Sequence, residues 1–359
     1  MSQVTAPTSS TDTPQKDTMS TTSTAETDRP APKVPAPKAK KSKPDLGTVA
    51  TSYGVIIFLI LMIVVFSALL PETFPTFDNA KAILSDQSIP VILALAAILP
   101  LAAGEFDLSL GAVLGFSAIT AIAVSNVGAP LPVVILACVA VGAVVGTVNA
   151  VLVVKVGVNA FIATLASATI LSGLNLLVTG SSLLVLGSDA FGALTVTRVF
   201  DLQVVLAYAI VLSLVLYYVM EKTPFGRYVR ATGMGRDAAR LSGVRVDRYL
   251  SASFIAAGVL AALAGALLAS RGGTAAPTLG PEFLLPAYAA AFLGATTIKP
   301  GYFNVWGTVI GVVLLAVGSN GLTLLGAQTW VTNIFNGVAL MVAVSASVLV
   351  GKRRRKAAH

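Results

Sequence analysis

The sequence predicts an all-α, polytopic helical membrane protein with about ten transmembrane helices. Three observations predict it. Of 359 residues, 55% are hydrophobic and 11% charged, and the mean hydropathy is +0.85, far from a soluble globular average. Apolar runs of about 20 residues, the length that crosses a bilayer, recur along most of the chain. The basic residues that make the net charge +8 gather in the two tails and one central loop, a distribution set by membrane topology.

Residues 1 to about 46 are rich in Ser, Thr, Pro, Ala and Lys and contain no apolar run, so they read as a disordered basic tail. The first apolar segment begins near Val49 and lacks a small-residue cleavage pattern, which reads as a span rather than a signal peptide. Lys38, Lys40, Lys41 and Lys43 stand just before it and place the N-terminus in the cytoplasm. A membrane domain, 47–351, follows, with runs at 49–70, 82–103, 108–126, 131–154, 160–180, 201–220, 249–270, 284–298, 303–325 and 330–350. Counting from inside, the sixth crossing returns the loop 221–248 to the cytoplasm and the tenth does the same for the basic tail 352–359. Anionic membrane lipid, not nucleic acid, is the partner that bases beside spans imply. The lone cysteine, Cys138, precludes an intrachain disulfide, and the only histidine is His359, which excludes His-based catalysis and His metal clusters. No metal or cofactor is expected.

Small residues four apart mark several runs: Gly111 and Gly115, Gly142 and Gly146, Gly307 and Gly311. In lipid this spacing lets helix backbones approach closely, so these glycines predict a tight bundle and say nothing about cargo.

Two stretches interrupt the apolar pattern with polar groups. In P-L-A-A-G-E-F-D-L-S-L-G, Pro100 to Gly111, backbone that leaves helical geometry near membrane depth must be satisfied by protein or water. Asp107 reads as an N-cap accepting from Ser109 or Leu110, as a group in a transport path, or as both. In the fifth run Thr169, Ser172, Asn175 and Thr179 form one stripe at helical spacing. It bonds neighbouring helices or lines a path, and Ser172 and Asn175 are its path candidates. The confidently placed span interiors carry no Asp, Glu, Lys or Arg, which counts against ion-driven carriers that use an intramembrane carboxylate. Such interiors also favour an uncharged cargo. A G-x-x-x-x-G-K-[ST] loop is missing as well, since Gly351-Lys352 is followed by Arg353, so energy must come from another polypeptide.

The loop 221–248 reads E-K-T-P-F-G-R-Y-V-R-A-T-G-M-G-R-D-A-A-R-L-S-G-V-R-V-D-R. Gly233 and Gly235 bound a run, Arg236 to Ser242, that makes about two turns of helix and ends at Gly243, with Ala238 and Leu241 on one face. A helix so short needs packing or a partner to hold it. The loop is either a plain basic cytoplasmic connection or a docking knob for another subunit.

T-P-F-G-R-Y-V-R-A-T-G followed by R-D-A-A-R-L-S-G-V resembles the cytoplasmic loop of the ribose/galactose-type permeases of binding-protein-dependent ABC importers. Further on, G-E-F-D-L-S-L-G is similar to that family's G-G-x-D-L-S-x-G, with Glu105 in place of the usual glycine, and N-A-F-I-A-T-L is similar to Q-P-F-I-x-T-L. The eighth and ninth runs resemble the family's small-residue segment ending in W-G-T, here Trp306, Gly307 and Thr308. The resemblance covers roughly residues 80 to 350.

It implies a type II ABC importer permease-like fold and the role of a membrane-spanning subunit, itself not an enzyme, for a monosaccharide or related neutral polyol. Implied partners are ATP-binding ABC subunits, an extracytoplasmic substrate-binding protein and a second permease copy or sister permease, in a bacterial inner membrane. Phe225, Gly226, Arg227, Ala238, Ala239, Arg240, Leu241, Ser242 and Gly243 are the implied ATPase-coupling residues. Asp107, Ser109, Phe161, Thr164, Ser172 and Asn175 are the candidates for the substrate path. Permeases for branched-chain amino acids, nucleosides or a furanose signal, and a self-contained secondary carrier, are the competing readings.

Overall fold

The computed structural model describes residues 46–199 and 201–357, excepting the side chains of 46–52 and 349–357. The expected tail with Lys38 to Lys43, and the side chains of Lys352 to Lys356, lie outside the described residues.

Each of the ten apolar runs is largely helical where the structure describes it, with some run ends in turns and the sixth opening on a two-residue strand. The first is α1 (Leu46–Leu69). The second differs from the single span expected over 82–103: it is divided into α2 (Phe77–Asp86) and α3 (Ser88–Ala102), bent by 41° at Gln87. Thr76 caps α2 by accepting from the Asn79 N–H, so the helix starts five residues before the apolar run does. Next come α4 (Leu110–Asn126), α5 (Leu131–Ala150) with a π-helical extension over Val151–Val156, and α6 (Ala160–Thr179). Gly157, at φ 82°, takes the left-handed geometry that ends the extension and turns the chain into α6.

The connection after α6 holds structure the apolar pattern did not reveal. Strand β1 (Leu184–Val185), the short helix α7 (Asp189–Val196), and strands β2 (Arg198–Val199) and β3 (Leu202–Gln203) precede α8 (Val204–Lys222). The 221–248 loop contains α9 (Pro224–Met234) and α10 (Arg236–Leu241) and leads into α11 (Val246–Gly272). Strand β4 (Thr274–Ala275) pairs antiparallel with β1, and β2 pairs with β3, so β-structure is limited to two-residue clips between helix ends. The chain then forms α12 (Pro281–Thr296), α13 (Val305–Leu324) and α14 (Thr329–Ala357).

Among the described residues six helices are long and apolar enough to cross a membrane, or seven if the bent α2–α3 pair is one span. α4 and α12 are shorter, at 17 and 16 residues, and α1 is counted only over Tyr53–Leu69, where its side chains are described. α3 is the centre: every residue from Ser88 to Ala102 except Pro90 is buried, against α11, α12, α8 and α13. A helix apolar all round belongs in such a position. By contrast, α14 exposes Trp330, Ile334, Val338, Met341 and Val342, and α1 exposes Ile57, Ile60, Leu61 and Val64, faces suited to lipid.

The glycine pairs do what their spacing predicts. On α5, a Cβ at Gly146 would stand 2.7 Å from the Ile255 Cα and the Phe254 carbonyl of α11, so the backbones touch. Gly294 of α12 meets α13, where an added Cβ would lie 2.6 Å from the Gly307 carbonyl carbon. Asn304 fixes this second pair, its Nδ2 donating to the Gly294 and Thr297 carbonyls at 2.9 and 3.1 Å while its Oδ1 accepts from the Gly307 N–H at 2.7 Å.

Candidate functional site

The break between α3 and α4 is a strap of non-helical chain, 103–109, that lies inside the bundle. Asp107 is 1% exposed. Its N–H donates to the Tyr288 hydroxyl at 2.9 Å, and that hydroxyl donates to the Asp107 carbonyl at 2.9 Å. The Leu108 N–H donates to Thr164 Oγ1 at 3.0 Å. Side chains of two helices, α12 and α6, and the strap's own Asp107 thus supply the polar partners that broken backbone needs away from water.

A side-chain chain of bonds continues from Asp107. Its Oδ1 accepts from the Ser109 N–H at 3.0 Å and from Ser109 Oγ at 2.5 Å. Asn149 of α5 donates to Ser109 Oγ at 2.9 Å, and Ser167 of α6 donates to Asn149 Oδ1 at 2.6 Å. The expected contact from the Ser109 N–H to Asp107 is present, as one link of a larger network, but Asp107 is not the N-cap: α4 begins at Leu110, so Ser109 takes the cap position, without a side-chain cap bond. Asp107 Oδ2 makes no hydrogen bond among the described residues, although it is buried. A buried carboxylate oxygen with spare acceptor capacity makes this a high-stakes position.

The α6 stripe is turned from the expected one. Thr169 faces outward, while Thr164, Ser167, Asn175 and Thr179 are buried and Ser172 is half-buried. The deciding neighbours are the strap, which bonds Thr164, and Asn149 of α5, which accepts from Ser167. Ser172 donates to its own helix at Ala168. With Asn175 it lines a small, partly open cavity of about 190 Å³, whose other walls include Pro277, Thr278 and Leu279 before α12 and Pro281 at its start. Asn175 is 2% exposed and its Oδ1 has no hydrogen-bond partner among the described residues. Phe161 is 54% exposed and joins neither group. The six path candidates therefore fall into the strap network (Asp107, Ser109, Thr164), the cavity (Ser172, Asn175) and an outward-facing aromatic (Phe161).

At the α8–α9 corner, Gly226 is buried and any Cβ there would overlap the Met220 backbone, so α9 can fold back on α8 only with glycine. Phe225 is half-buried, its ring 6.1 Å from that of Tyr249, while Arg227 is exposed. α10 ends at Leu241, one residue short of the predicted Ser242, which instead caps it; Ser242 Oγ donates to the Ala238 carbonyl. Gly243 follows at φ 82°. Ala239 is buried, Ala238 is exposed, and Leu241 is 91% exposed, so the shared face of Ala238 and Leu241 points away from the bundle. Arg240 pairs with Asp247 at 2.8 Å.

The loop is pinned to the bundle by charges. Glu221 pairs with both Arg230 and Lys299, joining α8, α9 and the α12–α13 turn, and Arg236 pairs with Glu105 of the strap. Sequence reasoning did not single out Tyr288, Asn149 or Ser167. Asn149 alone carried a signal, as an amide in an otherwise apolar run; Tyr288 meets Asp107 from 181 residues away and has no local signature.

Residues 79–344 match the family described as branched-chain amino acid transport system / permease component. The chain is 30% identical over 302 residues to the ribose import permease protein RbsC of Haemophilus influenzae, covering 83% of this chain and 93% of that protein. It is 36% identical over 297 residues to the ribose import permease protein RbsC of Bacillus subtilis, covering 81% and 91%. To the L-arabinose transport system permease protein AraH of Escherichia coli it is 30% identical over 306 residues, covering 85% and 93%. No solved structure matches it significantly. The loop at 221–248, the strap at 103–109 and the helical bundle that holds both fall within the matched segment, and the chain belongs to the branched-chain amino acid transport system / permease component family as a multi-pass membrane protein.

Proposed function

We propose that the chain is the membrane-spanning subunit of an ABC importer for a neutral monosaccharide, a pentose such as ribose or arabinose or a related polyol, in a bacterial inner membrane. About ten crossings with both termini cytoplasmic put α9 and α10 on the inner face. An ATP-binding subunit docks there, an extracytoplasmic binding protein delivers cargo to the opposite face, and a second copy or sister permease completes the path. This chain hydrolyses no ATP.

The observation that carries the reading is the α9–α10 knob. α10 has six residues, far too few to be stable alone, yet it is held in place by Ala239 and by ion pairs while offering Leu241, at 91% exposure, to the outside. A large apolar side chain so presented, in a loop that also exposes Arg227, Arg240 and Arg245, suits a groove on another protein. The cargo class is supported by the ribose and arabinose permeases at 30–36% identity over most of their length. It is also supported by the interior: among the described residues Asp107 is the one acidic or basic residue classed as buried, leaving little to compensate both charges of an amino acid.

Within this reading, Asn175 and Ser172 supply hydroxyl-binding groups beside the path, and the Asp107–Ser109–Thr164 set holds the path wall in shape. Phe161, exposed on this chain, faces the second permease copy. The test is co-purification of the chain with its cognate ATPase subunit, followed by ATP-dependent uptake of labelled ribose and arabinose into proteoliposomes supplied with the binding protein. Uptake of leucine in preference to either sugar would overturn the cargo assignment.

A further inference from the structure

Two observations outside the site roles above concern how the knob is joined to the bundle. The first is a backbone contact. Gly104 sits at φ 85° where an added Cβ would lie 3.2 Å from the Gly233 Cα, and a Cβ on Gly233 would overlap the Ala102 carbonyl and lie 3.0 Å from the Gly104 nitrogen. Bare backbone therefore meets bare backbone where α9 crosses the end of α3. The second is the ion pair of Arg236, the first residue of α10, with Glu105, the next residue of the strap. The Glu105 side chain is 20% exposed and that of Arg236 38%, so the pair is only partly screened by water.

The other charge clamp differs in kind. Glu221, at the end of α8, fastens Arg230 of α9 and Lys299 of the α12–α13 turn, and none of the three belongs to the strap. Glu105 instead fastens the knob to a segment without helical bonds, two residues from Asp107 and its connections to α5, α6 and α12. Helices move as rigid bodies, whereas a strap changes shape by rotating a few backbone angles. Phe106, between the two acids, stacks 5.8 Å from Tyr288 and 6.1 Å from Phe292, both on α12, so displacement of the strap is felt there directly.

We infer that Glu105 is a positioning residue: its pair with Arg236 and the adjoining Gly104–Gly233 contact carry displacement of the α9–α10 knob into the 103–109 strap. The inference rests on the reading of the knob as an ATPase dock. It adds that the motion enters the interior at this pair.

The test follows a label on the strap in the purified permease–ATPase complex. In a Cys138→Ala background, Phe106→Cys provides a single reactive thiol, and its maleimide labelling rate is measured with and without ATP plus vanadate. With Glu105 intact the nucleotide changes the rate by at least about fivefold, the lower range of coupling between sites. Glu105→Gln and Arg236→Gln each reduce that change to less than about twofold while the ATPase subunit still co-purifies, and the exchanged pair Glu105→Arg with Arg236→Glu restores it. An undiminished response in Glu105→Gln overturns the inference, as does a loss in the single variants that the exchanged pair does not restore. If the unaltered chain retains no ATPase subunit, the docking reading fails and this inference with it; retention with a flat label response in the unaltered chain sinks the inference alone.

Discussion

Asp107 and Tyr288, 181 residues apart, share two hydrogen bonds of 2.9 Å through one hydroxyl, which accepts from the Asp107 N–H and donates to the Asp107 carbonyl. A single phenol thus satisfies both backbone groups of a residue that neither α3 nor α4 includes. The strap keeps its shape in a low-dielectric interior because such partners come from outside its own sequence neighbourhood.

Tyr288→Phe keeps the ring and removes both bonds. It leaves a buried N–H and carbonyl unpaired, which should cost about 1–3 kcal/mol. A lowered thermal midpoint in detergent, with ATPase-subunit retention unchanged, is the expected result. An unchanged midpoint would show that the hydroxyl is dispensable to the strap.

Leu241→Asp should act in the opposite sense. At 91% exposure the side chain contributes little to the fold, so stability should stay within about 0.5 kcal/mol. Association with the ATPase subunit should weaken at least tenfold, roughly the loss expected for a central interface anchor. Retention equal to that of the unaltered chain would place the dock elsewhere.

Gly146→Leu and Gly173→Ala separate packing glycines from incidental ones. The first drives a side chain into the Ile255 and Phe254 backbone of α11, and overpacking of this kind costs about 1–3 kcal/mol or more. The second finds nothing within 4 Å on α6 and replaces a weak helix former with a strong one. Thermal unfolding should show the first variant destabilised and the second unchanged or slightly stabilised.

The helices were legible because length and hydropathy fix them locally: each run of about 20 apolar residues became helix with ends shifted by a few positions. The knob was legible for a similar reason, since Gly235 and Gly243 bracket it in the sequence. What the pattern hid was relational. The bend at Gln87 falls between Asp86 and Ser88, weak helix formers, with Pro90 just beyond, none of which a hydropathy run registers, and the turn of the α6 stripe depends on where the strap passes. Asn149 is an amide in an apolar run, Ser167 one hydroxyl among several on α6 and Tyr288 an aromatic among apolar residues, each indistinguishable from a helix-packing contact until the fold brings them to the Asp107 network. Glu105 stood out only as a departure from a motif, and its partner Arg236 lay among seven basic residues of one loop.

The central claim is that this chain is a passive gate whose motion is driven from α9 and α10 by a separate ATPase. The most direct measurement reconstitutes the chain in liposomes with binding protein and labelled ribose, with and without the cognate ATPase subunit and ATP. Accumulation above the external concentration only when the ATPase and ATP are both present is the predicted result. Accumulation by the chain without the ATPase, powered by an ion gradient, would contradict it.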